Sequence, residues 1–183
     1  MPPPTSPTPP TPIEGWLNDV EADLLKACAR QCHGDALEIG SYRGKSANVI
    51  VPEIGGDLYC CDPFISGFDN QVTGSRESII AAFVDALCGG AYCFNVRVCA
   101  MTEEQLWKGW PPTKRLGLLY LDGDHDYAAT LRAMNRWVPY CEGHVLLHDY
   151  GGMYLGVKQA VDEYCASHKR KIVRVVDRMV LLG

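Results

Sequence analysis

"LEIGSYRGKSANVI", residues 37–50, runs from a short apolar segment through a glycine turn into a helix-like stretch. Its Gly44-Lys45-Ser46 looks like the end of a triphosphate-binding loop. Such a loop requires four residues between its first glycine and the Gly-Lys-Ser, so that successive backbone N–H groups wrap the phosphates. Here only three, Ser41, Tyr42 and Arg43, separate Gly40 from Gly44. The dinucleotide fingerprint Gly-x-Gly-x-x-Gly is also absent. What remains is a strand–turn–helix unit with glycine at the turn and an acid, Glu38, two positions before it.

The same alternation continues along the chain. Apolar residues at helical spacing (Trp16, Leu17, Val20, Leu24, Leu25, Cys28) predict an amphipathic helix over "GWLNDVEADLLKACARQ". "DLYCCD" reads as a second strand ending in an acid, "RESIIAAFVDALC" as a helix and "YCFNVRVC" as a third strand. "TEEQLWKGW" is a short helix capped by Thr102, with Gln105 three residues on. "LGLLYLDGDHD" and "GHVLLHDYGG" are fourth and fifth strands separated by the helix "YAATLRAMNRWV". The helix "YLGVKQAVDEYCASH" then precedes "KIVRVVD" and "RMVLLG". Strands alternating with helices imply right-handed crossovers and a parallel sheet covered on both faces. The last two strands have almost no connection, so they form an antiparallel hairpin at the sheet edge. This is an α/β architecture.

Residues 1–12 are a proline/threonine tail, read as extended and disordered, and residues 13–183 as one domain of a size able to bury its own core. A net charge of −5 argues against nucleic acid as the main partner. Nine cysteines without a Cys-x-x-Cys pair, no apolar run long enough to span a bilayer and no charged-then-apolar leader point to a cytoplasmic protein with reduced thiols. Cys28, Cys32 and His33 lack a second ligand pair at zinc-finger distance, and the two thiols read as core on one helix face.

The second acid, Asp62, lies 22 residues beyond Gly40, at the end of the neighbouring strand, where a carboxylate accepts from both hydroxyls of a ribose. A ribose without a triphosphate grip fits S-adenosylmethionine. Glu38 suits its cationic groups, and Gly40 and Gly44 let the backbone approach the methionine moiety. Ser41 and Ser46 are expected to bind the methionine carboxylate near a helix N-terminus, and Ala100 and Met101 to flank adenine.

At this point the chain resembles class I S-adenosylmethionine-dependent methyltransferases. It is most similar to the small-molecule and sugar O-methyltransferases of macrolide and aminocoumarin biosynthesis. The residues that carry the likeness are "LEIGSYRGKSA", "CCDPF", "LYLDGDHDYAATLRAMNRWVPYCEGHVLLHDYG" and "GVKQAVDEY". The resemblance implies a Rossmann-like, seven-stranded, mostly parallel sheet with an antiparallel last strand. It also implies magnesium or another divalent metal at the ends of the fourth and fifth strands, on Asp122, His148 and Asp149, with His148 standing where relatives often carry another acid. Asp122 counts among the cofactor contacts as well. Asp124 matches the general base of that subgroup, with His125 as the alternative. Against these roles, Asp122 and Asp124 also suit capping of the helix that begins near Tyr127.

The expected partner is a small-molecule acceptor, with no nucleic acid and no membrane. A homodimer through the helix around Trp16 is an open expectation. The loop Phe64–Ser75 reads as a lid, with Phe64 and Phe68 shaping the acceptor pocket. Two other classes stay open: a cofactor-binding module without catalysis, and a nicotinamide oxidoreductase on the same fold class.

Overall fold

A computed structural model describes residues 12–65, 74–88 and 93–183. The proline/threonine tail up to residue 11 and most of the expected lid, including Phe68, lie outside the described residues. Strands β1 (Asp35–Ile39), β2 (Leu58–Cys61), β3 (Val96–Cys99), β4 (Leu116–Leu121), β5 (Cys141–Leu147), β6 (Ile172–Val176) and β7 (Met179–Leu182) form one sheet in the order β3-β2-β1-β4-β5-β7-β6. The first five pair in parallel, and β7 runs antiparallel to both β5 and β6. The strand order reverses direction between β1 and β4, which opens a crevice at their carboxyl ends.

Strand alternation sorts side chains to the two faces. Ala36, Leu58, Cys60, Leu118 and Leu146 pack beneath helices α1 (Asp19–Ala29), α2 (Lys45–Ile50) and α3 (Arg76–Cys88). Leu37, Leu119, Leu121, Val145 and Leu147 pack on the other face, where α5 (Tyr127–Trp137) and α6 (Leu155–His168) lie against each other. Trp137, fully buried, anchors that second layer and meets Trp110 edge-to-face at 5.2 Å. Among the described residues no helix is long and apolar enough to cross a membrane.

Three local expectations need correction. The first helix begins at Asp19, not near Gly15, because Asn18 and Glu21 cap it reciprocally: Asn18 Oδ1 accepts from Glu21 N–H at 3.0 Å and Glu21 Oε2 accepts from Asn18 N–H at 3.1 Å. Trp16 therefore sits in the lead-in before the helix rather than on it. Cys32 lies beyond the end of α1, so it does not share a helical face with Cys28. Burial pushes both thiols up to about 11, as packing groups rather than ligands. Cys93–Asn95 form a turn of 3₁₀ helix, so the third strand starts only at Val96. The cap on α4 (Glu103–Gly109) is as expected, a Thr102–Gln105 capping box.

The turn after β1 is held by backbone approach. Gly40 has φ +90°, and a Cβ built there would run into the Asp122 carbonyl and the Gly123 Cα. Gly40→Ala combines left-handed strain with that clash, and its expected cost is about 2–4 kcal/mol of stability. Urea unfolding of the variant against the parent measures it; a loss below ~0.5 kcal/mol would mean the two strand ends are not held in this contact.

Candidate active site

The carboxyl ends of β1, β2, β4 and β5 open onto a cavity of about 720 Å³. Gly40, Asp62, Asp122, Asp124, His125 and Asp149 are in its wall. At one end the turn after β1 is braced from outside by the N-terminal lead-in. Lys45, the residue that grips phosphate in a triphosphate loop, donates instead to the Gly15 carbonyl at 2.9 Å. Glu14 accepts from the Tyr42 hydroxyl at 3.0 Å and from Arg43 at 2.6 Å, and Trp16 stacks on Tyr42 with centroids 5.3 Å apart. That strap places Trp16 in the cavity wall.

Asp62 holds the turn from the next strand, its two oxygens accepting from the N–H groups of Tyr42 at 2.8 Å and Phe64 at 2.6 Å. Burial raises its pKa in spite of those two donors. Below the turn, Glu38 is fully buried and neither of its oxygens has a hydrogen-bond partner among the described residues. Burial pushes it up to about 7, with the Ser41 and Ser46 hydroxyls offsetting only part of the shift. Ser41 and Ser46 are themselves buried and face this acid, away from the cavity wall. Gly44 caps α2 in the left-handed conformation, also behind the wall. Ala100 and Met101 follow β3 at the rim, whereas Thr102 and Glu103 reach the cavity. Phe64 is buried against Phe83 at 5.4 Å.

At the other end, β4 and β5 deliver the acids and imidazoles. His148 N–H bonds to the Leu121 carbonyl at 3.0 Å, locking the two strand ends in step. His148 is 3% exposed, and its Nδ1 lies 3.4 Å from both Asp122 Oδ1 and Asp149 Oδ2. His125 Nε2 stands 3.2 Å from Asp149 Oδ2 and 3.9 Å from Asp122 Oδ1. One ligand atom each from Asp122, His148 and Asp149 falls within 4.8 Å of the others, so these three can share a cation. Asp149 has φ +58°, a conformation that costs a non-glycine residue about 1–3 kcal/mol and is retained where a site requires it. Asp124 is exposed at the cavity edge. The cap of α5 is Asp126, accepting from Ala129 N–H at 2.9 Å, so neither Asp122 nor Asp124 is needed for that role.

The charges at this end are mutually compensated. Burial favours neutral His148, but the Asp122 and Asp149 carboxylates outweigh it and raise its pKa to about 11. Burial works against the Asp122 anion, and the neighbouring His148 and His125 overturn that and hold it at about 2.

Two further groups reach this cluster from distant sequence. Glu21 of α1, 0% exposed, lies 3.2 Å from His148 Nε2 and accepts from Arg178 N–H at 3.1 Å. Arg178, in the β6–β7 turn, donates to Asp149 Oδ1 at 2.9 Å. Glu21 carried a signal: it lies on the buried face of α1, three and four residues before Leu24 and Leu25, where a carboxylate needs a reason. Arg178 carried none, being one more cation in a short turn.

Residues 37–150 match a family described as a methyltransferase domain. No curated protein matches the chain. Among solved structures, the O-methyltransferase NovP superposes with TM-score 0.62 at 20% identity, covering 87% of this chain and 77% of its own. The O-methyltransferase TomG from Streptomyces achromogenes, solved in complex with SAM, gives TM-score 0.62 at 12% identity, covering 88% and 78%. A methyltransferase from Geobacter sulfurreducens gives 0.65 at 17% identity, covering 91% and 78%. At these identities the likeness is one of fold.

Glu38 makes a prediction for the ligand-free protein. With its pKa near 7 in the native state against an ordinary 4.5, the native state holds the proton that the unfolded chain has released. Stability then falls as pH rises from about 4.5 to about 7, by up to about 3 kcal/mol. Glu38→Gln removes that loss, so the variant is expected to be more stable than the parent at pH 8 and nearly equal at pH 4.5. Urea unfolding at both pH values tests it, and equal stability at pH 8 would show that Glu38 is already solvated or paired.

Proposed function

The chain belongs to the methyltransferase-domain family, and from that premise we propose that it transfers the methyl group of S-adenosylmethionine to a hydroxyl oxygen of a small molecule. The observation that carries the proposal is the buried Glu38, its two oxygens without hydrogen-bond partners among the described residues, under a glycine turn whose other flank, Asp62, stands in the cavity wall. A ligand with a ribose and a cationic end satisfies both acids, and a triphosphate satisfies neither. The likeness in fold to the O-methyltransferases NovP and TomG favours oxygen as the acceptor atom.

In this reading Asp62 accepts from the ribose hydroxyls and Glu38 balances the cationic methionine end. The backbone at Gly40 is close enough to the cofactor because no side chain intervenes. The acceptor enters from the side of Trp16 and Tyr154 and presents its hydroxyl to the β4 and β5 ends. A divalent cation on Asp122, His148 and Asp149 would bind the acceptor oxygen and lower its pKa. Asp124, exposed at the cavity edge, takes the acceptor proton. The oxygen then attacks the methyl carbon in line with the carbon–sulfur bond. The new C–O bond forms as the C–S bond breaks, its electron pair goes to sulfur, and S-adenosylhomocysteine leaves. Positioning accounts for most of the rate, since a bimolecular displacement becomes unimolecular in the cavity.

Calorimetric titration with S-adenosylmethionine tests the cofactor directly. Binding in the micromolar range is expected, weakened at least tenfold by Asp62→Ala. No binding in metal-free or metal-supplemented buffer would sink the reading. Asp124→Asn is expected to keep cofactor affinity within about twofold while lowering turnover of any accepted hydroxyl substrate by roughly 10²–10⁴. A variant that methylates at the parental rate would move the base elsewhere.

A further inference from the structure

At the sheet edge farthest from β3, we propose that β6 is the docking surface for an acidic, extended segment of a partner protein, its carboxylates alternating with apolar residues. The proposal is independent of the cavity and of the methyl-transfer reading.

Of the chain's 17 lysines and arginines, twelve make an ion pair or a side-chain hydrogen bond. Arg132, Lys169, Arg170, Lys171 and Arg174 make neither among the described residues. Four of those five stand between Lys169 and Arg174, at the junction of α6 and β6. A chain of net charge −5 thus gathers most of its unpaired positive charge in one place. The same stretch holds Ile172 and Val173, 37% and 62% exposed, and Val175 follows at 46%. β6 pairs with β7 alone, so its other side is an open edge of the sheet.

The cations flank that edge from both faces. Burial raises the Cys28 thiol of α1 and the Cys165 thiol of α6, and the Arg174 and Arg170 charges respectively offset part of it. Arg174 is therefore near the α1 layer and Arg170 near the α6 layer, so a segment lying along β6 meets charge from both sides. Edge strands are commonly blunted by a lysine or a bulge, and β6 has a register shift between Ile172 and Arg174. Blunting accounts for Lys171 and the shift. It does not account for Lys169 and Arg170, which precede the strand, or for the exposed valines on it.

The size and charge of the surface choose its occupant. At ~3.3 Å per residue, the patch from Lys169 to Val175 is about 20 Å long. Removing its four charges from the net −5 leaves −9 on the rest of the chain. A nucleic-acid duplex or an anionic bilayer extends past the patch by more than a screening length of about 8–10 Å and meets that negative remainder. A second copy paired edge to edge would set four cations against four, which is destabilising. A short acidic segment avoids both problems. Its carboxylates reach the four cations while its apolar side chains cover Ile172, Val173 and Val175. Exposed ion pairs contribute little singly, so the apolar cover supplies affinity and the charges select the partner.

The test titrates the full-length protein into a fluorescently labelled peptide of four Glu-Val repeats, read by anisotropy. Saturable binding is expected, weakened roughly tenfold or more by Lys171→Glu combined with Arg174→Glu, and by a similar factor when salt rises from about 50 to about 500 mM. Val175→Ser is expected to weaken it about threefold through lost apolar cover. Far-UV circular dichroism checks the fold of each variant, and Lys169→Glu, outside the strand, keeps the test valid if the double change disturbs β6. No saturable binding below about 1 mM peptide, equal binding of a Lys-Val or a Glu-Ser peptide, or unchanged affinity in the charge variants would overturn the proposal. So would tighter binding of a short DNA duplex or of phosphatidylserine vesicles, or a dimer in sedimentation that the charge variants dissociate, since each gives the patch to a different occupant.

Discussion

A contact between two strand ends governs this molecule: the Gly40 backbone against the Asp122 carbonyl, with no room for a methyl group between them. Asp122 N–H bonds to the Ile39 carbonyl at 2.8 Å and Gly40 N–H to the Cys61 carbonyl at 2.9 Å, so β1 is stitched on both sides as it ends. The strand order reverses there, and helices from the two halves leave toward opposite faces of the sheet. A bulkier turn would push β4 away, and the acids it carries would lose register with β5, whose His148 N–H is tied to Leu121. The two ends of the cavity therefore share one mechanical origin.

From that contact the rest of the site is assembled by long-range closure. α1 enters before the first strand and the β6–β7 turn arrives just before the last, yet Glu21 and Arg178 meet at 3.1 Å beside His148. Asn18 ties the same two segments again, donating to Asp177 at 2.6 Å. Chain ends that lock around buried carboxylates cost desolvation energy, which hydrophobic contacts of the same size would not. Their retention points to positional accuracy at His148 and Asp149 as the benefit. The left-handed backbone at Asp149 is of the same kind, a local cost borne where a side chain must aim at a chosen point.

Much of this was legible in the sequence for identifiable reasons. The apolar runs of "DALEIG" and "LGLLYLD" could only be buried strands between helices, and the near-absent link before "RMVLLG" forced a hairpin. Asp62 was recoverable from its distance to Gly40, because parallel neighbours joined by one crossover bring their ends together. Side-chain direction was harder. Ser41 and Ser46 have the chemistry to hold a carboxylate, but the tight turn at Tyr42 and the left-handed Gly44 send them inward to Glu38. Met101 is near the rim without reaching the cavity wall, since the turn into α4 brings Thr102 and Glu103 forward instead. Glu21 and Arg178 escaped because Glu21 meets both Arg178 and His148 across more than a hundred residues of chain, where no local pattern operates.

Asp62, Asp122 and Asp149 in the cavity wall and Glu21 and Glu38 buried behind it differ in how they are compensated. Asp62 is satisfied by two backbone donors, Glu21 by two and an imidazole, Asp149 by a guanidinium, Asp122 by a phenol and imidazoles. Those four have their partners within the protein itself. Glu38 is the buried carboxylate left unfinished among the described residues. Burial makes its ionised form costly, so the ligand-free protein holds its proton up to about pH 7. The anion persists when something from outside completes it, and a ligand bearing positive charge is the group that would do so. Neutral ligands gain nothing from that acid and anionic ones are repelled. On the proposed reading, a preference of the glycine turn for a cationic, phosphate-free nucleoside follows from the two unpartnered oxygens of Glu38 as much as from the spacing of its glycines.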